Sequence, residues 1–499
     1  MDAERPGTDL VRVRTGMYHD SVSLMRVSRA AAGLPGVEVA VVAMATGLNL
    51  GIAAGLGFAL PAAGPADLLV ALRAADADAA ERAAAEVDGL LAGLAAARVA
   101  GPAGAAEPPR TVRAAVRAAG GAATLALVSV PGRYAFAEAM DAVEAGLSVM
   151  VFSDDVPVER EVLLKRRAAE HGVLVMGPDC GTAVVGGTGL GFANVLRPGP
   201  VGIVAASGTG AQQVACLLDL AGAGVGHILG VGGRDLSAEV GGLSTLRALD
   251  ALDADPATEL IVLVSKPPDP RVADAVRKAA DRLATPVVTA FLGRASGRGP
   301  GDLTSAAEDV LRALGAEVPG WPSWSAAGPR VPGPGRAADS GPAPDHAAGD
   351  GGDRAAAGRA RRLHGIYAGG TLCAEAALVA GTGDFTDYGD DAYTRGRAHP
   401  MIDPAFRLEA LAAVPPGDAV LLDVVLGHGA DPDPAGRLAP AVAAAVARGV
   451  PVTVALVGSS GDPQGLAAQA GALCAAGADV FVSNALAARH AAGLTGGPR

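Results

Sequence analysis

Five short strings place residues able to hold an anion or move a proton directly after a strand-like apolar run, and a sixth gathers such residues in one polar loop. In VGIVAASGTGAQQ the run ends at Ala205, Ser207, Gly208, Thr209 and Gly210 form the loop, and helix-like sequence follows at once. Free N–H groups and the dipole at a helix start favour an anion, glycines let it approach, and hydroxyls add donors. An ordinary strand-to-helix turn capped by a serine fits the same spacing. No lysine follows the glycines, so this is not a Walker loop, and the spacing is not GxGxxG.

In VLLDVVLGHGADPD, Gly427, His428 and Gly429 follow a strand-like run in the same way. His428 could donate to an anion or act as acid and base, or could simply face solvent. In ILGVGGRDLSAEVGG, Gly232 and Gly233 precede Arg234 and Asp235. Arginine offers a planar fork to a carboxylate or phosphate; pairing of Arg234 with Asp235 is the plainer alternative. Lys266 in LIVLVSKPPDP stands at the C-terminal end of a buried run, where open α/β sheets bind ligands. VMGPDCGTAVV brings Asp179, Cys180 and Thr182 into a tight loop, and Cys180 has no histidine partner nearby in sequence to make it a nucleophile. DYGDDAYTRGRAHPMIDP gathers Asp387, Asp390, Asp391, Tyr393, Arg395, Arg397 and His399 in one polar loop. Such loops carry function or seal a domain interface. Its carboxylates match no metal spacing, and no metal site is expected.

The elements that must position these residues alternate strand and helix. From about residue 110, runs such as TLALVSV, SVMVFSD, VGIVAA, ELIVLVS and PVVTAF are each followed by helix-period sequence, which predicts parallel doubly wound sheets. The rhythm stops in a Pro- and Gly-rich stretch, expected as a disordered tether over 319–361, and resumes afterwards. Trp321 and Trp324, just at its start, are expected to cap the preceding domain. Residues 1–105 read as a separate small α+β domain.

The chain has 499 residues, 50% hydrophobic and 18% charged, with net charge −12. That composition supports real cores and excludes a wholly disordered chain. The negative balance argues against nucleic acid and against an anionic membrane surface. The lysines are Lys165, Lys266 and Lys278 only, and arginine replaces them elsewhere, which reads as codon bias. Four cysteines without CxxC spacing exclude a disulfide scaffold or zinc ribbon. An uncharged stretch between Glu38 and Asp67 has the length of a spanning helix, but Gly, Asn and Pro interrupt it. Charges of both signs precede any apolar run at the start, so no signal peptide is expected, and the cytoplasm is the expected compartment.

HDSVSLM, VMGPDCGT, GFANV, ASGTG, GVGGRDLS, SKPP, AGGTLC, GDDAYTRGRAHPMIDP and LLDVV together make the chain resemble FdrA-type proteins over all but the tether. These are in turn similar to succinyl-CoA synthetase and other NDP-forming acyl-CoA synthetases. Residues about 110–318 resemble the α subunit, and about 361–495 resemble the C-terminal part of the β subunit. The resemblance implies an α/β fold: a Rossmann-like CoA-binding-type domain (106–198) and two flavodoxin-like synthetase-type domains (199–318 and 362–499) behind the N-terminal domain. It also implies two helix starts facing one phosphate, expected at Ser207–Gly210 and Gly427–Ala430.

The chain departs from the synthetases in four ways, one being that the unrelated N-terminal unit stands where their Gly-rich CoA-binding loop would precede residue 110. FLGRASGRGPG has no histidine where they carry the phosphorylated one, and SKPP replaces a glutamate-bearing GEIGG-like string. No ATP-grasp domain precedes the β-like part. The FdrA resemblance implies a subunit of an oxamate carbamoyltransferase in purine-ureide breakdown, acting on carbamoyl phosphate with companion subunits and expected to form oligomers. In that reading Lys266 and Arg234 would neutralise the leaving phosphate or hold the substrate carboxylate, and His428 would assist proton transfer. Gly232, Gly233, Asp235, Asp179 and Arg397 would line the substrate. The alternatives are an acyl-CoA synthetase subunit and a non-catalytic phosphate-sensing scaffold. No cofactor is assigned; CoA or a nucleotide stands as the alternative.

Overall fold

The computed structural model describes residues 7–17, 19, 21–99, 109, 111–293, 301–325, 328–330, 360–394 and 398–495. The chain divides into two compact units, residues 1–108 with 394–398, and the remainder.

In the first unit, Leu68–Ala74 is the middle strand of an antiparallel sheet, flanked by Thr8–Arg14 and Val37–Met44. Its near-continuous apolar sequence is buried because helices cover it. Leu24 and Val27 of helix Ser21–Ala32 and Val87 of helix Ala77–Val99 pack onto Leu68, Val70 and Leu72. The uncharged stretch after Glu38 breaks into strand Val37–Met44 and helix Gly47–Gly55, which Thr46 caps through Asn49 N–H. Among the described residues, no helix is long and apolar enough to cross a membrane.

The second unit holds three sheets. Leu125–Val128, Ser148–Val151 and Val175–Met176 form a parallel three-stranded sheet with helices Gly132–Glu144 and Val158–Glu170. A six-stranded sheet runs Val287–Phe291, Leu260–Ser265, Val201–Ala205, Val225–Gly230, then the hairpin Thr182–Val185 and Thr188–Gly191. Its first four strands are parallel, as the β/α alternation requires. A seven-stranded sheet has five parallel strands: Asp384–Asp387, Leu363–Tyr367, Ala419–Val425, Val452–Val457 and Asp479–Phe481. This is the α/β architecture expected from the sequence.

The two larger sheets share one apolar core. Helix Gly208–Leu220 lies between them and is buried from Gly210 to Asp219, the behaviour of a helix apolar on all sides. Gln213 is satisfied across the junction: it donates to Val482 O (3.0 Å) and accepts from Asn484 N–H (3.0 Å). Gln212 donates to Asn194 Oδ1 (3.0 Å).

The expected tether begins too early. Ser323–Ser325 pairs antiparallel with Asp479–Phe481, so it is a strand of the seven-stranded sheet. Trp321 is buried in the shared core, and its indole N–H donates to Glu308 (3.1 Å). Three residues suffice because Trp324 opposes Val480 and brings apolar surface to the sheet edge. Residues 331–359 of the expected tether lie outside the described residues.

Candidate functional site

Strand Val201–Ala205 ends beneath the start of helix Gly208–Leu220. Ser207 caps that helix, its Oγ accepting from Gly210 N–H at 3.0 Å. The same hydroxyl donates to Thr371 Oγ1 at 2.6 Å. Thr371 belongs to the first turn of helix Gly370–Ala380, which follows strand Leu363–Tyr367 of the other sheet. The two helices therefore meet start to start. Four backbone N–H groups there, of Gly208, Thr209, Gly370 and Thr371, find no acceptor among the described residues. A helix start leaves such donors for an outside anion, and two dipole ends act on it together.

Glycine makes the approach close enough. A Cβ on Gly369 would stand 2.7 Å from Thr209 Oγ1 and 2.9 Å from Thr209 Cβ. A Cβ on Gly370 would strike the Asp387 carboxylate and stand 2.9 Å from Lys266 Nζ. The turn is held from beneath by Asp423, which is fully buried and accepts from Ala368 N–H (2.8 Å) and Gly369 N–H (2.9 Å). Arg407, also buried, pairs with Asp423 at 3.0 Å.

These helix starts open into a cavity of about 580 Å³. Its walls carry the cations Arg234 and Lys266, six aspartates including Asp154, Asp179, Asp387 and Asp391, and His399. Asp179 can be reached from the cavity, yet protein surrounds most of it. That desolvation, with Asp391 and Asp154 nearby, pushes its carboxyl up to about 6, while Arg234 and Lys266 pull it down. Asp155 and Asp179 both have positive φ, 51° and 58°, an uncommon conformation that clusters at functional sites. Burial also raises Asp387, against the pull of Gly389 N–H and Lys266.

Arg234 is set by a buried network. Its guanidinium reaches Glu161 (2.9 Å) and Val156 O (2.8 Å). Lys165 spends its three donors on Glu161 (2.7 Å), Asp235 (2.7 Å) and Val231 O (2.9 Å). Asp235 also accepts from Ser244 N–H, Thr245 N–H and Thr245 Oγ.

The structure brings Ser207, Gly208, Thr209, Gly232, Gly233, Arg234, Lys266 and Asp179 to one cavity. Gly210 stands behind it, its N–H already used by Ser207. Asp235 is fully buried and its oxygens are occupied, so it braces the loop and does not face a ligand. Gly427, His428 and Gly429 are not among the cavity residues. His428 N–H and C=O bond to Ala193 O (2.8 Å) and Ala193 N–H (3.3 Å), and the loop leads to no helix until Pro434, capped by Asp433. The facing helix start is Gly369–Thr371. Arg397 lies outside the described residues. Burial raises the Cys180 thiol to about 12, which removes it as a nucleophile at neutral pH.

Asp387 and His399 were named by sequence only as members of a polar loop without individual roles, and the Gly369–Thr371 turn was not singled out, although AGGTLC contains it. The signal available was a glycine pair directly after a strand and before a helix.

Escherichia coli YahF, an uncharacterized protein, is 35% identical to this chain over 517 aligned residues, 93% of the chain and 94% of YahF. The chain belongs to the YahF family. Within this family member, residues 8–108 match the AllF heavy metal-associated domain and residues 366–494 match the CoA-ligase family. All four cysteines lie outside the first of these segments. The succinate–CoA ligase [ADP-forming] subunit alpha 2 of Archaeoglobus fulgidus is 33% identical over 160 residues, 31% of the chain and 54% of that subunit. The malate–CoA ligase subunit alpha of Methylorubrum extorquens is 27% identical over 228 residues, 42% of the chain and 75% of that subunit. The YahF-family chain thus carries a CoA-ligase domain and a succinyl-CoA-synthetase-like scaffold, and it spans about half of the succinate ligase subunit.

Proposed function

We propose that this chain is the phosphate-binding subunit of a carbamoyl-transferring complex built on the CoA-ligase scaffold. The observation that carries the reading is the set of four N–H groups, from Gly208, Thr209, Gly370 and Thr371, that line one cavity and find no acceptor among the described residues. The phosphate of carbamoyl phosphate would occupy that turn, with the Lys266 ammonium beside it. An amide nitrogen of the acceptor attacks the carbamoyl carbon; the new C–N bond forms as the C–O bond to phosphate breaks. Phosphate leaves with the electron pair, and the donors that held it stabilise its growing charge.

The proton released from nitrogen passes to a cavity carboxylate. Asp179, raised to about 6, is ionised at neutral pH and remains a serviceable base there. Arg234 would hold the acceptor's carboxylate as a planar fork. The FdrA resemblance supports the same chemistry and a complex with companion subunits. The carboxylates of Asp154, Asp179, Asp387 and Asp391 oppose a second negative group on the phosphorylated substrate, so a neutral carbamoyl group suits the cavity better than a succinyl group.

A second reading, an acyl-CoA synthetase subunit, is favoured by the CoA-ligase match over residues 366–494. Calorimetry on the full chain separates the two. Carbamoyl phosphate and inorganic phosphate should compete for one site, and CoA should give no heat. Absence of phosphate binding overturns both readings, and submicromolar CoA binding replaces the first with the second.

A further inference from the structure

His399 is the one imidazole among the cavity residues, and its surroundings fix what it can do. Its Nδ1 accepts from Met401 N–H at 3.2 Å. A ring nitrogen that accepts carries no proton, so a neutral His399 is protonated on Nε2. The Phe192 ring packs against it with centroids 5.7 Å apart, which holds the ring plane. Burial and the nearby Arg407 guanidinium lower its pKa to about 4, so the ring is neutral at physiological pH.

Nε2 finds no hydrogen-bond partner among the described residues. It lies beside Gly389: a Cβ at that position would stand 2.8 Å from Nε2 and would strike Ala368 O. Ala368 immediately precedes the Gly369–Thr371 turn. An N–H donor therefore stands next to the phosphate-binding turn, covered by no side chain at residue 389.

We propose that His399 is a substrate-contacting donor, offering Nε2–H to the carbonyl oxygen of a carbonyl phosphate held at the two helix starts. This rests on the phosphate reading above and adds to it a means of telling an acyl or carbamoyl phosphate from free phosphate. The ring does not act as a nucleophile. Nucleophilic attack by Nε2 would require moving its proton to Nδ1, where it would face the Met401 N–H.

Two measurements on the full chain test this. In calorimetry, wild type should bind carbamoyl phosphate about tenfold more tightly than inorganic phosphate, the worth of one good hydrogen bond. His399→Ala should bring that ratio near one while leaving phosphate affinity unchanged. His399→Gln, whose amide N–H reaches the Nε2 position, should keep most of the preference. In nitrogen-15 spectra of histidine-labelled protein, the His399 signal, assigned by its loss in the variants, should show protonated Nε2 and no titration from pH 5.5 to 8. A preference equal in wild type and His399→Ala, a proton on Nδ1, or a phosphoramidate phosphorus signal after incubation with carbamoyl phosphate overturns the role of His399 alone. Failure of inorganic phosphate to bind wild type overturns the phosphate reading, and this proposal with it.

Discussion

The Ser207 hydroxyl donates to the Thr371 hydroxyl at 2.6 Å, joining two helix starts 164 positions apart in the chain. Ser207 Oγ is at once an acceptor for Gly210 N–H and a donor to Thr371, so the Thr371 proton is left to point elsewhere. Thr371→Val keeps the shape, removes the second hydroxyl and leaves the cap intact. It should weaken phosphate binding about tenfold with little change in stability. Ser207→Ala should weaken binding similarly and also cost about 1 kcal/mol of folding stability through the lost cap. Calorimetry and urea unfolding read the two effects separately. Equal stability losses in both variants would contradict the division of labour.

Gly369 is needed for space and not for its backbone angle, since its φ is −113°. Gly369→Ala should therefore destabilise by about 1–3 kcal/mol through the Thr209 contact. Adding Thr209→Gly removes the opposing atoms. The double variant should recover about 1 kcal/mol relative to the sum of the singles. Strict additivity in urea unfolding would show that the two helix starts do not touch in solution.

Lys165 stands between two carboxylates, Glu161 and Asp235, with all three side chains buried. Lys165→Met leaves Asp235 buried without its cation and Glu161 with Arg234 alone. Breaking a buried ion network in this way costs about 3–5 kcal/mol. Thermal and urea unfolding should both show the loss. The double variant Lys165→Met with Glu161→Gln should be less destabilised than Lys165→Met alone.

The alternation of strands and helices was legible because buried parallel strands read as short Val/Ile runs and their helices as 3.6-residue spacing. Half the site was legible for the same reason: ASGTG follows such a run. The other half was not. GHGA also follows a strand, but the DPDP sequence after it puts the helix start at Pro434 with Asp433 as its cap, a signature that was present and outweighed by the glycines. Which helix start meets Ser207 depends on how two sheets pack across helix Gly208–Leu220, and no local pattern encodes that. The Lys165 network was invisible because its central pair, Lys165 and Asp235, lies 70 positions apart. His399 was named only as one member of a polar loop expected to carry function or seal an interface; its tautomer follows from a backbone N–H two residues on.

Glu375 supplies a test of how the two sheets are fastened together. It lies buried on helix Gly370–Ala380 and accepts from Leu303 N–H (2.5 Å), which begins a helix of the six-stranded half. Its other oxygen accepts from Asn484 Nδ2 (2.7 Å), and Asn484 in turn accepts from the Tyr367 hydroxyl (3.0 Å). Burial pushes the Glu375 carboxyl up to about 7; the bonds from Asn484 and Leu303 pull it down, Asp302 adds to the rise, and Arg489 opposes it. The folded chain then holds a proton between about pH 4.5 and 7 that the unfolded chain releases. The protons bound in the unfolded state minus those in the native state are negative there, so stability falls as pH rises through that window and levels off above it. The contribution of this one group is about 3 kcal/mol. Glu375→Gln cannot titrate, so its urea-unfolding free energy should lack this part of the slope. The difference between variant and wild type should grow in favour of the variant from pH 4.5 to 7. Parallel curves would mean that Glu375 ionises in the folded chain as readily as in water, and that the junction around Leu303 and Asn484 is open to solvent.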